Sequence, residues 1–507
     1  MSLRSASLNA LIVLASVTSL AKAQFVFIPD TNLRMWFNTW APGCVDASGQ
    51  LDTLNSDFTY GTAPSLQVDW APSDLTGIQY ISTAEEFLIG YNTGGPATIS
   101  AFPDCNKLIL NDFPGSEIPE LPAGVIALEF HDAPLIETLP VLPSGLHYLE
   151  LRSFPLLAQT GPLPLSLYGL NIVDCVQLSQ PLYNDSLHQL SVSNMPWTAL
   201  GALPNTLVNL DVEHLPNVQL PPQWPDSLRA LDLVSIPATE LPPFPSGVIE
   251  VRLEHIPISS LPPIQSAECS IRLLSDTLLS TLPALQVPNV TMLHLEDLPL
   301  LNDLPVINGS VQAAELMHLP LVQHIDLPFM DYQDYTWLTC TDMALLDEIV
   351  SLGNSLTALT INTCPLLHCL PTLPEEMLEF TNIGNAITCV PNYPSQAALL
   401  GMLDQFPPLC DTINSTCTEI MSGSPIQPFG VQPAKLLPVS WNQFHILGLS
   451  DGRHQIQVAD ALGKVVFVRA GQSFGGRSEV FDLGSLPPSA YTISVDARRS
   501  WKLVVVQ

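Results

Sequence analysis

The chain has 507 residues and is strongly acidic, with 16 Lys and Arg against 48 Asp and Glu and a formal net charge of −32 at pH 7. Nucleic acids and anionic lipid head groups repel such a surface, so we exclude both classes of partner. The candidate functions that remain are those of a globular or repeat protein whose ligand is neither a nucleic acid nor an anionic lipid surface.

The first 23 residues are typical of a secretory signal peptide. Arg4 precedes a mostly apolar stretch over residues 8–20, and residues 21–23 read Ala-Lys-Ala, so we predict cleavage before Gln24. The alternative is a membrane anchor, but this stretch is too short to span a bilayer. No other stretch is long and apolar enough, and we expect no transmembrane segment in the mature chain.

Residues 24–75 are predicted to form an N-terminal helical cap. Asp30 and Thr31 can cap a short helix that runs through Trp40. Residues 46–52 contain the acidic and small residues of a partial calcium loop. Their spacing is incomplete and a terminal bidentate glutamate is missing, so we expect a plain cap turn.

A leucine and proline pattern recurs about every 21 residues through residues 76–388. The segments LPVLPSGLHYLELRSFPLL from Leu139 and LPPFPSGVIEVRLEHIPIS from Leu241 show the same spacing of apolar residues. In the first, Leu146, Leu149 and Leu151 occupy positions 1, 4 and 6 of a short strand and point inward, and the residues between them point outward. The position 4 residues of fifteen predicted units are Leu88, Leu108, Leu128, Leu149, Leu170, Leu190, Leu210, Leu231, Val251, Ile271, Leu293, Ala314, Leu338, Leu359 and Phe380.

This unit resembles the leucine-rich repeat, in its short, proline-rich bacterial form. The resemblance implies a solenoid of α/β type that is poor in helix, with parallel strands stacked along a concave face. At position 9 the family usually has an asparagine that hydrogen-bonds neighbouring backbone, but here most residues are apolar and are followed by proline. We therefore expect an apolar seam and a thin convex side of extended Leu-Pro segments. The position 9 residues include Ala133, Phe154, Cys175, Met195, Leu215, Ile236, Ile256, Leu298, Leu319 and Cys364.

Two groups of residues are candidates for ligand binding. The first lies on three successive units and contains two residue types, Tyr and Arg, that often anchor interfaces. It consists of His147, Tyr148, Arg152, Tyr168 and His188. The alternative is a solvated face with scattered aromatic residues.

The second group lies in a lengthened unit, between Leu327 and Leu338. It consists of Asp331, Tyr332, Asp334, Tyr335 and Trp337. Extra residues leave a solenoid as a loop, and such loops often bind ligands, here a sugar or a basic peptide. The alternative is that Trp337 folds inward beside Leu338.

The ten cysteines do not form a metal signature. Cys105, Cys175, Cys340 and Cys364 occupy inward positions and are predicted to be buried thiols. The nearest approach to a ligand cluster is Cys364 and Cys369 with His368 between them, and we predict no metal there. Residues 389–424 are predicted to be a cap and linker, in which two of three cysteines form a disulfide. The candidates are Cys389, Cys410 and Cys417, and the sequence leaves the pair open.

Charge divides the chain near Ser424. Residues 24–424 contain 6 basic and 43 acidic residues, whereas residues 425–507 contain 8 basic and 5 acidic ones. The tail has alternating strand patterns separated by turns, which predict a small antiparallel β-sandwich. Its segments QVADALGKVV and DLGSLPPSAYTISV and its basic, apolar last strand resemble the C-terminal sorting domain of the type IX secretion system of Bacteroidetes. The resemblance implies an export address that is removed at the cell surface. The alternative is an adhesive β-domain.

These observations predict a non-enzymatic binding or adhesion module, secreted or held at the outer surface of a Gram-negative bacterium. The expected ligand is a protein or a polysaccharide, and residues 425–507 would engage the type IX machinery. The alternatives are a carbohydrate-active or other enzyme accessory and a structural surface component. Glu129 and Glu150 should lie on adjacent strands, but nothing predicts a pocket around them, and we expect no catalytic residue and no cofactor.

Overall fold

A computed structural model of the chain describes residues 24–55, 63–68, 73–81, 84–90, 99–180, 182–329, 335–410 and 417, and between 435 and 505 mainly the strands. The predicted signal peptide, residues 1–23, lies outside the described residues. The chain divides into two compact units, Met1–Cys417 and Thr418–Gln507, at a point within the predicted cap and linker. Among the described residues, no helix has the length and apolar character needed to cross a bilayer.

The N-terminal segment contains the predicted short helix. Its elements are β1 (Phe25–Phe27), α1 (Thr31–Trp40), β2 (Gln50–Asp52) and a 3-10 turn (Ile78–Tyr80), with β1 and β2 antiparallel. Asp30 caps α1, because its carboxylate accepts the N–H groups of Asn32 at 2.8 Å and Leu33 at 2.9 Å. Asp46 accepts hydrogen bonds from Ser48 and from the Gln50 backbone, which is the geometry of a turn.

The repeats form one parallel sheet, to which each unit contributes a strand. The strands in chain order are β3 (Ala63–Val68), β4 (Ala84–Gly90), β5 (Cys105–Asn111), β6 (Ala127–His131), β7 (Tyr148–Arg152), β8 (Gly169–Val173), β9 (Gln189–Ser193), β10 (Asn209–Glu213), β11 (Ala230–Val234), β12 (Glu250–Glu254), β13 (Glu268–Leu274), β14 (Asn289–Glu296), β15 (Ser310–Val311), β16 (Ala313–Met317), β17 (His324–Asp326), β18 (Trp337–Thr341), β19 (Glu348–Ser351), β20 (Ala358–Asn362) and β21 (Glu379–Ile383). Strands β17 and β19 pair with each other outside this sheet. Opposite the main sheet, the described residues of neighbouring turns are joined by isolated parallel β-bridges. This confirms the prediction of a helix-poor solenoid.

The predicted register is correct from Leu108 to Phe380, where each position 4 residue pairs with the next one along the chain. The assignment of Leu88 was wrong. Phe87 is fully buried and pairs with Leu108, whereas Leu88 pairs with Ile109 on the outer face. Three apolar residues in succession hide the alternation in β4. The sheet also begins one strand earlier than predicted, because β3, inside the range 24–75, already pairs in parallel with β4.

A left-handed residue follows each regular strand, at position 8. Its φ lies between 52° and 60°, and its N–H donates to the position 7 carbonyl of the next turn over 2.8 to 3.1 Å. The column contains Asp112, Asp132, Ser153, Asp174, Asn194, His214, Ser235, His255, Ser275, Asp297, His318, Asp342 and Thr363. Asp, Asn and His tolerate this conformation better than most side chains. The left-handed residue turns the chain so that position 9 points back into the core.

Position 9 forms the predicted apolar seam, since its predicted members are at most 2% exposed. A polar residue occurs there at the last turn, where the Asn385 amide donates to the Ile361 carbonyl at 2.7 Å and its oxygen accepts the Cys364 N–H. The buried Cys175 thiol lies 3.3 Å from the position 7 carbonyl of its own turn, that of Val173, and 3.6 Å from the position 6 carbonyl of Leu151. The asparagine at position 9 therefore satisfies a carbonyl of the preceding turn, whereas the thiol lies nearest to a carbonyl of its own turn.

Asp276 is a carboxylic acid at this buried position. It is 0% exposed, and one oxygen accepts the Ile256 N–H at 2.6 Å. Its other oxygen has no hydrogen-bond partner among the described residues. Burial, aided by the charge of Glu254, raises the pKa of Asp276 to about 7. Asn385, at the same position of its turn, donates to the position 6 carbonyl of the preceding turn, and for Asp276 that carbonyl belongs to Leu253. A protonated Asp276 would donate a hydrogen bond there, and an ionised one cannot.

The C-terminal cap of the solenoid consists of α2 (Ser395–Leu400) and a 3-10 turn (Leu403–Gln405), held by two disulfides. Cys389 bonds with Cys410, and Cys417 bonds with Cys369. Cys369 was not among the predicted candidates, because it lies in the last repeats, 48 residues before its partner. Its disulfide ties the end of the cap to those repeats, and neighbouring Cys364 remains a buried thiol.

The C-terminal unit is antiparallel, as predicted. Its strands are β22 (Lys435–Ser440), β23 (Gln443–Leu447), β24 (Gly452–Ala459), β25 (Val465–Phe474), β26 (Arg477–Ser478), β27 (Phe481–Asp482), β28 (Ser489–Val495) and β29 (Arg499–Val505). They form one sheet in the order β22-β23-β26-β25-β24-β28-β29, with β27 paired to β23. Strands β22 and β23 were not predicted, because both lie before the alternating segments.

Asp276 should make the solenoid less stable as the pH rises. Its folded pKa of about 7 lies above the ordinary value of 3.8, so its contribution is fully present below the ordinary value and is lost as the pH rises through about 7. Asp276→Asn should therefore raise the free energy of unfolding by roughly 2–4 kcal/mol at about pH 8 and leave it nearly unchanged near pH 4.

Urea unfolding across this pH range measures the difference. The matched control is Asn385→Asp, which places a second carboxylic acid at position 9. Its free energy of unfolding should fall further with rising pH than that of the natural chain, for the same reason as at Asp276. A gain from Asp276→Asn that does not depend on pH would contradict this account.

Candidate functional site

The outward residues at positions 2, 3, 5 and 7 of the repeats form one continuous surface, which we call the strand face. Five of the six basic residues in residues 24–424 lie on it, against 43 acidic residues in the same range. They are Lys107, Arg152, Arg229, Arg252 and Arg272. The sixth, Arg34, lies in α1 and donates to the Ile28 carbonyl. Positive charge in this acidic solenoid is therefore concentrated on the strand face.

Most of these basic residues are held by ion pairs within the face. Lys107 Nζ lies 2.8 Å from Glu129 and 3.6 Å from Glu86. Arg252 contacts Asp232 at 2.9 Å and also Glu254. Burial would lower the pKa of Arg252, but these two carboxylates outweigh it and raise that pKa. The pairs fix long side chains in place, which prepares them for contact with a ligand at small entropic cost.

Arg272 differs from the three ion-paired residues. It is exposed and lies at position 5 between Arg252 and His294 on the neighbouring strands. Among the described residues neither Arg272 nor Arg229 has a carboxylate partner within ion-pair distance, but Arg229 donates to the Gly247 carbonyl at 3.3 Å. The Arg272 guanidinium is therefore available to a ligand.

The first predicted group is partly built into the face. The Tyr148 ring packs over Gly169, where an added Cβ would lie 2.8 Å from it, and the Tyr148 hydroxyl donates to Glu150 at 2.9 Å. His131 at 3.1 Å and Arg152 at 3.3 Å contact the same carboxylate. Burial, followed by the bond to Glu150, raises the pKa of Tyr148 to about 12. Burial alone would raise the pKa of Glu150, but hydrogen bonds from Tyr148 and Asn171 outweigh it and lower that pKa.

The other members of this group follow one another at position 2. Tyr168 and His188 stack with ring centroids 4.5 Å apart and planes 14° from parallel, and Tyr168 is 45% exposed. The Nδ1–H of His188 donates to the Ser186 carbonyl at 2.7 Å, which fixes the ring. His147 precedes them, and its carbonyl accepts the Tyr168 N–H at 2.8 Å. The structure therefore brings all five predicted residues onto adjacent strands.

The second predicted group is described only in part, since Asp331, Tyr332 and Asp334 lie outside the described residues. Tyr335 and Trp337 lie side by side with ring centroids 5.7 Å apart, and the Tyr335 hydroxyl donates to Glu379 at 3.1 Å. Trp337 lies at an outward position, while buried Thr336 precedes it, so Trp337 does not fold inward beside Leu338.

The two groups are separate on the strand face. Seven strand-to-strand steps lie between β9 and β18, which corresponds to roughly 34 Å at about 4.8 Å a step. One small ligand cannot reach both, but an extended protein or polymer can.

Between the groups lies a cavity of about 180 Å³ that the sequence did not reveal. The small side chain of Ala230 leaves this space unfilled. The polar residues around it are Asn209, Asp211, Asp232, Glu250 and Arg252. Burial, then the charges of Glu213 and Asp232, raises the pKa of Asp211 to about 6. Glu129 and Glu150 lie side by side in register, but each is occupied by its own cationic partners, so they are not a free carboxylate pair.

Comparisons with known proteins give structural likeness alone. No family model and no curated protein matches the sequence. The chain is similar to YopM from Yersinia enterocolitica WA-314, with 24% identity and a TM-score of 0.45 over 64% of this chain and 73% of that one. It is similar to the circular leucine-rich repeat protein CroV588, with 18% identity and a TM-score of 0.37. The match covers 59% of this chain and 46% of CroV588, so this chain spans less than half of that protein. It is also similar to YopM, a leucine-rich effector protein from Yersinia pestis, with 17% identity and a TM-score of 0.30 over 62% of this chain and 86% of that one.

The two neighbouring arginines should respond differently to truncation. Arg252→Ala leaves Asp232 and Glu254 without their shared cation and should lower the free energy of unfolding by about 1 kcal/mol. Arg272→Ala removes no ion pair and should change it by less than about 0.5 kcal/mol. Urea unfolding of the two variants decides the matter, and equal losses would show that Arg272 is structural.

Proposed function

We propose that this chain is a non-enzymatic binding module that holds a protein ligand on its strand face. The observation that carries the proposal is the concentration of basic residues there, within an otherwise acidic solenoid. Arg and Tyr are the residue types that most often anchor protein interfaces. Exposed Arg272 and the Tyr168 and His188 stack are available for that role.

The charge order along the face favours a protein over a uniformly charged polymer. Along successive strands, the residue at position 5 is first acidic, then neutral, then acidic again, then basic and finally acidic. Its residues are Glu129, Glu150, Asn171, Ser191, Asp211, Asp232, Arg252, Arg272, His294 and Glu315. A protein surface can present the complementary order of charges, and such complementarity provides specificity.

A polysaccharide is the second candidate, supported by the Tyr335 and Trp337 pair. Next to these rings, position 5 carries Thr339, Thr360 and Thr381 on adjacent strands. Sugar rings stack on aromatic faces, and hydroxyl groups can hydrogen-bond to sugars. This end of the strand face would hold a neutral glycan.

We further propose that the module is exported and acts outside the cell, at the outer surface of a Gram-negative bacterium. Support comes from the signal-like residues 1–23 and from two disulfides in the cap, since disulfides persist in oxidising compartments. Residues 425–507 would engage the type IX secretion machinery and then be removed. The competing roles are an enzyme accessory and a structural surface component.

The ligand should be lost when the exposed anchors of the strand face are removed. We predict that the double variant Tyr168→Ala and Arg272→Ala binds at least about tenfold more weakly, at an unchanged melting temperature. The probes are a panel of cell-surface proteins and a panel of purified glycans, tested with the immobilised chain. The matched control is Val141→Ser, because Val141 is 90% exposed and lies off the strand face.

Undiminished capture by the double variant would contradict the proposal, and so would an equal loss of capture in Val141→Ser. Glycans that are captured by the natural chain and lost in Trp337→Ala would favour the second candidate.

Processing gives an independent test of export. We expect the surface form to begin at Gln24 and to end between Ser424 and Trp441, since the tail is an export address in this proposal. Intact-mass measurement of surface and culture fractions provides the masses. A surface form that retains Gln507 would argue for an adhesive β-domain instead.

A further inference from the structure

Three turns of the solenoid bring a histidine between two carboxylates at position 8. His318 Nδ1 lies 3.1 Å from Asp297 Oδ1, and His318 Nε2 lies 3.0 Å from Asp342 Oδ2. The three residues come from successive turns and share the left-handed conformation that ends each strand. Glu296 precedes Asp297 and points to the same place.

Glu296, Asp297 and His318 form a set of metal-ligand atoms. One carboxylate oxygen from each acid and one ring nitrogen of His318 all lie within 4.8 Å of one another. Ligand atoms about 2.1 Å from a tetrahedral zinc ion are about 3.4 Å apart, so small side-chain rotations would close the set around the ion. Asp297 and His318 are about half exposed, which leaves a fourth position for water.

The surroundings orient these ligands. The ring nitrogen of His318 that faces Asp342 can donate its N–H to that carboxylate, which leaves the Nδ1 lone pair directed at Asp297 and Glu296. His294 lies 3.1 Å from an oxygen of Glu296 and restrains that carboxylate. A carboxylate behind the ligating histidine is the usual outer arrangement of zinc sites.

The same column supplies its own comparison. His255 also lies at position 8 with a φ of 55°, but Ser235 and Ser275 flank it on the neighbouring turns and its one carboxylate contact among the described residues is Glu254, at 3.6 Å. The six unpaired cysteines are buried, and burial raises the pKa of each thiol, which disfavours the thiolate that zinc requires.

His294 and His324 also contact two carboxylates each. Among the described residues, however, only Glu296, Asp297 and His318 combine an imidazole with two carboxylates whose ligand atoms all lie within 4.8 Å of one another.

We propose that Glu296, Asp297 and His318 bind a zinc ion, with Asp342 positioning the His318 ring. Zinc fits better than calcium or magnesium, because imidazole nitrogen is a zinc ligand whereas the other two ions take oxygen ligands. The site joins two successive turns at the edge of the strand face. The competing account is a metal-free imidazolium that pairs with both aspartates.

Equilibrium dialysis of the purified chain against micromolar zinc chloride at about pH 7.5, with metal content measured by mass spectrometry, tests the site, since metal affinity depends on pH. The natural chain should hold one zinc more than His318→Asn. Asparagine accepts the left-handed backbone, so this variant should fold. The matched control, His255→Asn, should bind as much zinc as the natural chain.

Asp342→Asn keeps an acceptor for the ring but removes the charge, and should weaken zinc binding about tenfold. Melting curves with and without zinc establish that each variant is folded. The proposal is wrong if the natural chain takes up no more zinc than His318→Asn, or if His255→Asn loses as much. Displacement of the bound zinc by an equal concentration of calcium would also contradict it, because the imidazole would then contribute nothing.

Discussion

The hydrogen bond from the position 8 N–H to the next turn is the interaction on which the solenoid depends. It extends the parallel ladder past each strand while the chain turns sharply inward, and it places position 9 in the core. A left-handed conformation costs roughly 1–2 kcal/mol for most side chains. Asp, Asn and His fill nine of the thirteen positions of the column, and they tolerate that conformation better than most side chains. The left-handed column thus aligns every turn with the next.

Position 9 shows how one structural requirement is met by different chemistry. Where an apolar residue is followed by proline, the backbone lacks one N–H, and the side chain contributes apolar burial. Where Asn occurs, the side chain donates to a carbonyl of the preceding turn, and where Cys occurs, the thiol lies nearest to a carbonyl of its own turn. Asp276 can donate only when protonated, which makes it a buried acid with a stability cost at neutral pH. The seam is therefore mostly apolar, and its polar exceptions act locally.

The outward surface follows from the same regularity. Because the register hardly slips, residues of one position form straight rows, and charges about 20 residues apart in sequence become neighbours. This is how Lys107 and Arg252 find carboxylate partners, and how His318 comes to lie between two aspartates. The rows distribute separate chemistries along one surface, which suits an extended ligand.

The sequence alone determined the repeat register, the inward residues, the cap helix after Asp30 and the antiparallel tail, because each follows from local periodicity or capping. It failed at Leu88, where three successive apolar residues erase that periodicity. Only the tertiary structure decided that Cys417 pairs with Cys369, that Tyr148 packs over Gly169, and that Asp276 is buried without a second partner. Those contacts join residues on different turns. Their distances depend on how the turns stack and on side-chain rotation, and no spacing within one repeat encodes either.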